Sequence, residues 1–292
     1  MIGFTTLKRV LLATASLGFA AHAAAANLTL DVYNPGTNAI FPVTSVLVSG
    51  EKDAILVDAQ FGKSQAEQVV EKIRASGKHL TTIYISHGDP DYYFGLDTLT
   101  KAFPEAKVLA SQPTVDHINK TVAGKLAFWG PKMGADVPAK TIVPGVLKGD
   151  SLMLEGQKLQ VIGLDGKQPD RSFVWIPSLK AVVGGVVVAE NIHVWMADTQ
   201  TAQSHVDWLE TLHSIETLKP NTVVPGHYLG DSSRSLASVK FTADYIKAFD
   251  AETAKAKDSA ALIAAMKKRY PTLGEESSLE LSAKVAKGEM QW

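Results

Sequence analysis

The 292-residue sequence contains no cysteine. Thiolate is therefore excluded from any catalytic or metal-binding role, and no disulfide stabilises the fold. An excess of either charge is also missing, since 29 basic residues face 30 acidic ones, and we expect no nucleic-acid partner. Hydrophobic residues make up 46% of the chain, which is enough for a sizeable core in one large domain or two small ones.

Long hydrophobic runs are missing except near the N-terminus. There, Lys8 and Arg9 precede the run VLLATASLGFA, and the small residues AHAAAA lead up to Asn27. This order is typical of a secretory signal peptide, and the run is too short to span a bilayer. We predict that residues 1–26 are a signal peptide and that residues 27–292 are periplasmic or secreted, without a membrane partner after cleavage.

Strand and helix patterns alternate along the first half of this mature region. The patterns predict strands over 28–35, 41–52, 54–61, 81–86 and 107–111, with helices over 64–78, 92–103 and 113–129. Short strands with glycine turns follow over 151–156, 158–164, 171–177, 181–189 and 222–227, with a helix over 204–219 and a helical tail from about residue 235. Two mixed β/α halves, packed sheet on sheet with helices outside, are implied.

The stretch ISHGDPDYYFG, residues 85–95, follows an apolar strand. A helix start accounts for part of it, because Asp89 is a suitable cap, Pro90 a suitable first residue, and Asp91 complements the helix dipole. That explanation leaves out His87 at the strand end. Imidazole and carboxylate groups together suit zinc, iron or manganese. The stretch TVVPGHYLG repeats the arrangement with His227, which is either a second strand-end ligand or a turn residue.

Four segments together resemble a known family. LVDAQF, ISHGDPDYYFG, AVVGGVVVAENIHVW and VVPGHY, in this order, are similar to segments of the metallo-β-lactamase superfamily, and the resemblance covers nearly all of residues 28–230. It implies an α/β (α+β) fold, a four-layer αββα sandwich of two mixed β-sheets flanked by helices. The site is expected at the edge between the sheets, within a single domain over residues 27–292.

The resemblance also implies a set of metal ligands. The family pattern His-x-His-x-Asp-His is met by His87 and Asp91, whereas Asp89 replaces the second histidine and Tyr92 the last one. His227 matches the final histidine of the family. We therefore expect His87, Asp89, Asp91 and His227 to hold one ion, zinc or else iron or manganese, rather than two, while a site without metal stays open.

Two further positions depart from the family pattern. The bridging aspartate of the family is replaced by Gly185, and the usual Gly-His-Thr turn is best matched by residues 166–168. This match places the Lys167 ammonium group where a ligand is expected. Lys167 is either attracted to Asp89 and Asp91, and so replaces the missing metal charge, or is a solvated lysine in a loop.

Four other residues are assigned roles in or near the site. Asp58 is expected to orient the His87 loop by hydrogen bonding, with a turn-capping role as the alternative. Tyr92 and Tyr93 are candidate donors to a developing oxyanion. His193 is a candidate substrate contact or replacement metal ligand, and otherwise a core histidine.

These observations predict an exported, metal-dependent hydrolase. It is expected to cleave an ester, lactone, amide or related bond of a small-molecule substrate by an activated water, with Asp91 as the catalytic group that orients the water or takes its proton. The alternative is a metal-free binding or accessory protein in which Lys167 neutralises the carboxylates.

Overall fold

A computed structural model describes residues 1–2 and 27–292. The predicted signal peptide lies outside the described residues except for its first two, so it stays a prediction. Along residues 27–292, no helix is long and apolar enough to cross a membrane.

Strands and helices alternate along the chain. The strands are β1 (Thr29–Tyr33), β2 (Ser45–Ser49), β3 (Asp53–Val57), β4 (His79–Ile85), β5 (Lys107–Ala110), β6 (Gly145–Val146), β7 (Ser151–Leu154), β8 (Gln157–Ile162), β9 (Phe173–Ile176), β10 (Ala181–Val183), β11 (Ala189–Glu190), β12 (Thr222–Val223) and β13 (His227–Tyr228). The helices are α1 (Lys63–Ser76), α2 (Pro90–Tyr93), α3 (Leu96–Ala102), α4 (Gln112–Met133), α5 (Ala202–Thr217), α6 (Leu236–Lys255), α7 (Ser259–Arg269) and α8 (Glu276–Ala286).

The strands form two mixed sheets and one short pair. The first sheet has the order β1-β2-β3-β4-β5-β6, and the second has the order β12-β10-β9-β8-β7. The predicted hairpin joins β2 to β3, where the Gly50 amide donates to the Asp53 carbonyl oxygen at 2.9 Å. The separate pair is parallel β11 and β13, which places His227 opposite Ala189.

Side-chain alternation along the strands explains why the molecule has four layers. Val46 and Val48 of β2 belong to the apolar cluster shared with the second sheet, whereas Leu47 packs among the helices. The second sheet shows the same alternation, with Ala181 and Val183 in the cluster between the sheets. Because successive side chains of a strand point to opposite faces, each sheet has one face on its partner and one face under helices. The predicted αββα arrangement is confirmed.

Glycines divide two elements that the patterns predicted as continuous. The predicted helix over 92–103 is split into α2 and α3 around Gly95, whose amide donates to the Gln60 carbonyl oxygen at 2.9 Å. The predicted strand over 181–189 ends at Val183, because Gly184 and Gly185 adopt φ angles of 67° and 82° in the left-handed region.

Helix α4 is longer than predicted. It runs through Pro131 to Met133, although the pattern placed its end near Gly130. Trp129, in its last turns, packs edge-on against Phe41 and Phe61. This aromatic packing holds the helix end against the first sheet, so tertiary contacts outweigh the local signal of the proline.

Candidate active site

The carboxyl end of β4 carries the loop that begins the site. The Ser86 amide and hydroxyl both donate to Asp58 Oδ1 at 2.8 Å, and the Gly185 amide donates to the Ser86 hydroxyl at 2.7 Å. Asp58 is fully buried and adopts a φ of 68°. Burial raises the pKa of Asp58 to about 7 against the opposing effect of the Ser86 hydrogen bonds. Asp58 therefore anchors Ser86, the residue directly before His87. This is the loop that Asp58 was expected to orient.

His87 is hydrogen-bonded through both ring nitrogens. Nδ1 lies 3.0 Å from the Asp170 carbonyl oxygen, and Nε2 lies 3.2 Å from Asp89 Oδ2. A carbonyl oxygen only accepts, so Nδ1 carries a proton and donates. Burial raises the pKa of Asp89, but the charges of Lys125, His87 and His117 outweigh it and hold this pKa well below its usual range. Both ring nitrogens of His87 are therefore occupied by oxygen atoms of the protein.

Further charged side chains surround Asp89. Lys125 Nζ lies 3.3 Å from Asp89 Oδ1 and 3.7 Å from Asp198 Oδ1, and His117 Nδ1 lies 3.2 Å from Asp170 Oδ2. Burial lowers the pKa of Lys125, but Asp89 and Asp198 outweigh this effect and raise it. These groups form what we name the ion-pair cluster, consisting of His87, Asp89, His117, Lys125, Asp170 and Asp198.

The cation of this cluster corrects the expectation for Lys167. Lys167 is exposed in the turn after β8, whereas the Lys125 ammonium of α4 contacts Asp89. His117 and Lys125 are eight residues apart on one helix, a spacing that puts both on one face. These two residues were not predicted, because the acidic residues that pair with them follow strands far from α4 in the sequence.

His227 forms a second polar group with two residues of α2. Its Nε2 lies 2.6 Å from Asp91 Oδ2, and its Nδ1 lies 3.2 Å from the Tyr92 hydroxyl. Burial lowers the pKa of His227, but the hydrogen bond to Asp91 outweighs it and leaves the pKa raised. Burial also raises the pKa of Tyr92 well above its ordinary value, so the phenol keeps its proton. The Asp91–His227 pair is thus fixed in orientation by hydrogen bonds on both sides of the imidazole.

The expected metal ligands do not fit a single ion. The Tyr92 ring lies between His87 and His227, with ring centroids 5.3 Å and 5.5 Å away, and all four ring nitrogens have protein partners. Asp89 is taken up by Lys125. Among the described residues, no three histidine, aspartate or glutamate side chains are grouped as metal ligands. The predicted joint site of His87, Asp89, Asp91 and His227 is corrected to two separate groups.

Gly185 has no room for the bridging aspartate of the family. A Cβ there would overlap the Ser172 carbonyl oxygen, and the φ of 82° disfavours a side chain in any case. The position is therefore closed to side chains by the packing of β9 against β10.

We expect Gly185→Ala to lower the free energy of unfolding by about 2–4 kcal/mol, from backbone strain together with overpacking. Urea unfolding followed by circular dichroism measures the change. Gly149→Ala is the matched control, since Gly149 has a φ of 81° and open space around the added methyl group. Equal losses in the two variants would show that the contact with Ser172 has no energetic weight.

An apolar pocket opens beside the Asp91–His227 pair. Its cavity volume is about 50 Å³, within about 620 Å³ of space that includes open solvent. Its aromatic wall consists of Phe41, Trp129, Trp195, Trp208 and Trp292, and its polar groups are Asp89, Asp91, Lys125, His193, His227 and Glu275. Apolar walls with a few convergent polar groups are typical of small-molecule sites.

Of the side chains assigned to the substrate pocket, only His193 lines it. His193 Nδ1 lies 3.0 Å from the Tyr245 hydroxyl, and burial lowers the pKa of His193 to about 4, which keeps it neutral. Tyr92, Tyr93 and Lys167 lie outside the lining, which corrects their assignment. Lys125 and Glu275 were not predicted as pocket residues. Lys125 reaches the pocket from α4 and Glu275 from the start of α8, both far in sequence from the predicted site residues.

Arg171 is a buried cation behind this pocket. Its guanidinium lies 4.2 Å from the ring centroid of Trp208, and its Nε and Nη2 atoms have no hydrogen-bond partner in the described residues. Burial lowers the pKa of Arg171, whereas Asp198, Asp170 and Asp89 raise it. Arg171 therefore adds positive charge next to the ion-pair cluster.

We expect Lys125→Met to lower the free energy of unfolding by about 3–5 kcal/mol, because it leaves buried carboxylates without their counter-charge. The Lys125 side chain is only 13% exposed in its ion pairs. Lys101→Met removes an ion pair with Asp97 in which the lysine is 63% exposed, and this control is expected to cost at most about 1 kcal/mol. Denaturant unfolding of both variants checks the difference, and a loss at Lys125 no greater than at Lys101 would contradict it.

Comparisons with known proteins agree with this fold. A structure titled a metallo-beta-lactamase family protein from Thermus thermophilus matches with a TM-score of 0.60 and 16% identity over 88% of this chain and 94% of that chain. A metallo-beta-lactamase from Pontibacter korlensis matches with a TM-score of 0.55 and 18% identity over 75% of this chain and 93% of that chain. At these identities the likeness shows the fold alone.

A sequence relative and a family profile add to this. An uncharacterized protein of Bacillus subtilis (strain 168), YobT, is 36% identical over 74 residues, which are 25% of this chain and 31% of that protein. The chain therefore matches about a third of the length of that relative. The profile described as the metallo-beta-lactamase superfamily, whose members usually bind metal ions, matches residues 39–227. Since this match covers more than half of the 292 residues, the chain belongs to the metallo-β-lactamase superfamily.

Proposed function

We propose that this protein is a hydrolase that cleaves an ester, lactone, amide or related bond of a small, largely apolar molecule. The observation that carries the proposal is the Asp91–His227 pair in the lining of the aromatic pocket, which also includes Lys125. Membership of the superfamily supports a hydrolytic reaction. We assign no step of the reaction to zinc, iron or manganese, because the histidine and carboxylate side chains of the site are not grouped as ligands of an ion.

Asp91 is the general base of the proposed reaction. Its Oδ2 is bonded to His227 Nε2, whereas its Oδ1 has no hydrogen bond to any described residue and is free to accept a proton from water. The short contact with His227 holds the carboxylate in one orientation. A positioned base of this kind accelerates hydrolysis by about 10²–10⁴-fold.

Lys125 supplies positive charge where the carbonyl oxygen becomes negative. Its ammonium group lines the pocket and is held by Asp89 and Asp198, so its position is set before substrate binds. A preorganised cation in a site of low water content stabilises the oxyanion of a tetrahedral intermediate. In this protein, the positive charge that stabilises the oxyanion therefore comes from the Lys125 side chain.

The pocket walls indicate the substrate class. Five aromatic side chains and several aliphatic ones line the ligand space, together with polar groups that include Asp91 and His227. An aromatic or bulky apolar acyl group would pack against the tryptophans, with the bond to be cleaved near Asp91.

A metal-free binding or accessory protein is the second candidate. The observation in its favour is the ion-pair cluster, in which each charged group already has a protein partner. In this case, the pocket binds the same class of molecule without turnover.

The experiment separates the two candidates with the purified mature protein in EDTA. Tryptophan fluorescence reports binding, and absorbance reports hydrolysis of p-nitrophenyl esters of aromatic acids, aryl lactones and a chromogenic β-lactam. We expect ester or lactone turnover that survives EDTA and does not rise with added zinc. Binding without turnover would support the second candidate, and turnover that depends on zinc would overturn the proposed metal-free steps.

We also propose that the protein is exported and acts outside the cytoplasm on a small-molecule partner, with no nucleic-acid or membrane partner. The basic, apolar and small-residue order of residues 1–26 supports this. Expression of the full chain in a Gram-negative host, with the intact mass of the periplasmic product, tests it. Retention of residues 1–26 on a cytoplasmic product would contradict it.

A further inference from the structure

Glu275 is a carboxyl group in the pocket lining that has no role in the hydrolytic steps proposed for Asp91 and Lys125. It lies between α7 and α8, beyond the residues matched by the family profile. Neighbouring backbone bonds fix this turn, since the His193 amide donates to the Gly274 carbonyl oxygen at 2.8 Å and the Gly274 amide donates to the Asn191 carbonyl oxygen at 3.3 Å. Glu275 thus reaches the pocket from a firmly attached turn of the C-terminal helical region.

The backbone of Glu275 is held in an unfavourable conformation. Its φ and ψ angles are 58° and 46°, in the left-handed region, where a non-glycine residue is strained. Its carbonyl oxygen accepts from the Ser278 amide at 3.0 Å, so the start of α8 keeps the residue in place. Strained backbone conformations occur mainly at functional sites, where the surrounding contacts hold them in place.

One carboxyl oxygen of the half-buried Glu275 side chain lacks a hydrogen-bond partner among the described residues. Its Oε2 atom is buried and has no hydrogen-bond partner in the described part of the chain. Burial raises the pKa of Glu275 against the opposing effects of His227 and Ser278, and Asp91 raises it further. A carboxyl group in this setting keeps its proton to higher pH than an exposed glutamate.

Asp91 and Glu275 therefore both line the pocket, in different settings. Asp91 Oδ2 accepts a hydrogen bond from His227 Nε2, whereas Glu275 Oε2 has no hydrogen-bond partner in the described residues. Two carboxyl groups whose surroundings separate their protonation states are suited to act as base and acid of one reaction.

We propose that Glu275 is the general acid of the hydrolysis, donating its proton to the leaving oxygen or nitrogen of the substrate. This inference rests on the proposed function. Water gives a proton to Asp91, and its oxygen bonds to the carbonyl carbon. The bond from that carbon to the leaving group then breaks, and the leaving atom takes the proton of Glu275. The proton on Asp91 returns to Glu275 through solvent, which restores both groups.

Substrates that differ only in their leaving group test this role. An alkoxide leaving group needs a proton, whereas p-nitrophenolate leaves without one. We expect Glu275→Gln to lower kcat/KM by about 100-fold for the ethyl ester of an aromatic acid, but by less than about threefold for its p-nitrophenyl ester. Glu276→Gln is the matched control, because Glu276 is the exposed neighbour paired with Lys267, and neither substrate should be affected. An equal fall for both esters, or no fall for the ethyl ester, would overturn the proposal.

A second measurement decides the matter independently of turnover. Carboxyl ¹³C NMR titration of wild type and Glu275→Gln assigns the Glu275 resonance, and we expect it to titrate at higher pH than Glu276. Titration together with Glu276 would overturn the role as an acid, even if Asp91 and Lys125 support hydrolysis. Absence of turnover in wild type, with the raised titration present, would instead count against the proposed function and leave Glu275 as the proton donor of a different reaction.

Discussion

Replacing Asp91 by asparagine is expected to lower kcat/KM for the p-nitrophenyl ester by about 10²–10⁴-fold. The amide has nearly the same size and still accepts the hydrogen bond from His227 Nε2, but it cannot take a proton from water. The loss should therefore fall mainly on kcat, with little change in KM, since the aromatic wall of the pocket is untouched. Steady-state kinetics with the wild type and the variant measure it.

The control for this loss is Asp97→Asn. Asp97 is also buried, six residues further along the same segment, and its Oδ2 accepts from Lys101 and from the Ala139 amide, away from the pocket. We expect this variant to keep wild-type kinetics. If Asp91→Asn kept near-wild-type activity while binding substrate normally, Asp91 would not be the base.

Stability is expected to fall by about 4 kcal/mol as the pH rises from about 4 to about 7, through the titration of Asp58 alone. Asp58 is fully buried, and its pKa is raised to about 7 in the folded protein from the model-compound value of 3.8. Between these values the folded state holds a proton that the unfolded state has lost. The contribution is therefore complete below the unfolded pKa and disappears as the pH passes the folded pKa.

Asp58→Asn isolates this contribution. Asparagine is neutral at every pH and retains an oxygen for the Ser86 amide and hydroxyl, so the variant should lack this part of the decline. Other titrating groups, such as His117 and His227, are present in both proteins and cancel in the difference. Urea unfolding at about pH 4.5 and about pH 8 measures the two free energies. Parallel pH profiles for wild type and variant would show that Asp58 is ionised throughout.

The layered fold could be predicted from the sequence because several local signals agree with it. The β-branched run before His87 and the turn residues at Gly50 specify strands of the first sheet, and four segments in the family order specify the architecture. The break at Gly184 and Gly185 was missed for a physical reason. Two glycines between valines match the composition of a strand, whereas their left-handed backbone and the close approach of Ser172 to Gly185 appear only in the folded chain.

The site was harder to predict than the fold. Asp91 and His227 were predicted as site residues because each follows an apolar strand closely, and the structure places them in contact. Separation of His87 from them depends on the Tyr92 ring, whose orientation has no local signal. Lys125 and Glu275 reach the pocket from α4 and from the turn before α8, and only tertiary packing determines that approach.

The tight contact between Gly185 and Ser172 makes the altered centre difficult to reverse by mutation. An aspartate at position 185 requires the Ser172 backbone to move first, and a histidine at position 89 would face the ammonium group of Lys125. Each single step toward the usual ligand set of the superfamily therefore lowers stability before any ion can compensate. Directed evolution toward a metal-dependent variant should proceed through coordinated changes at these positions and not through successive single substitutions.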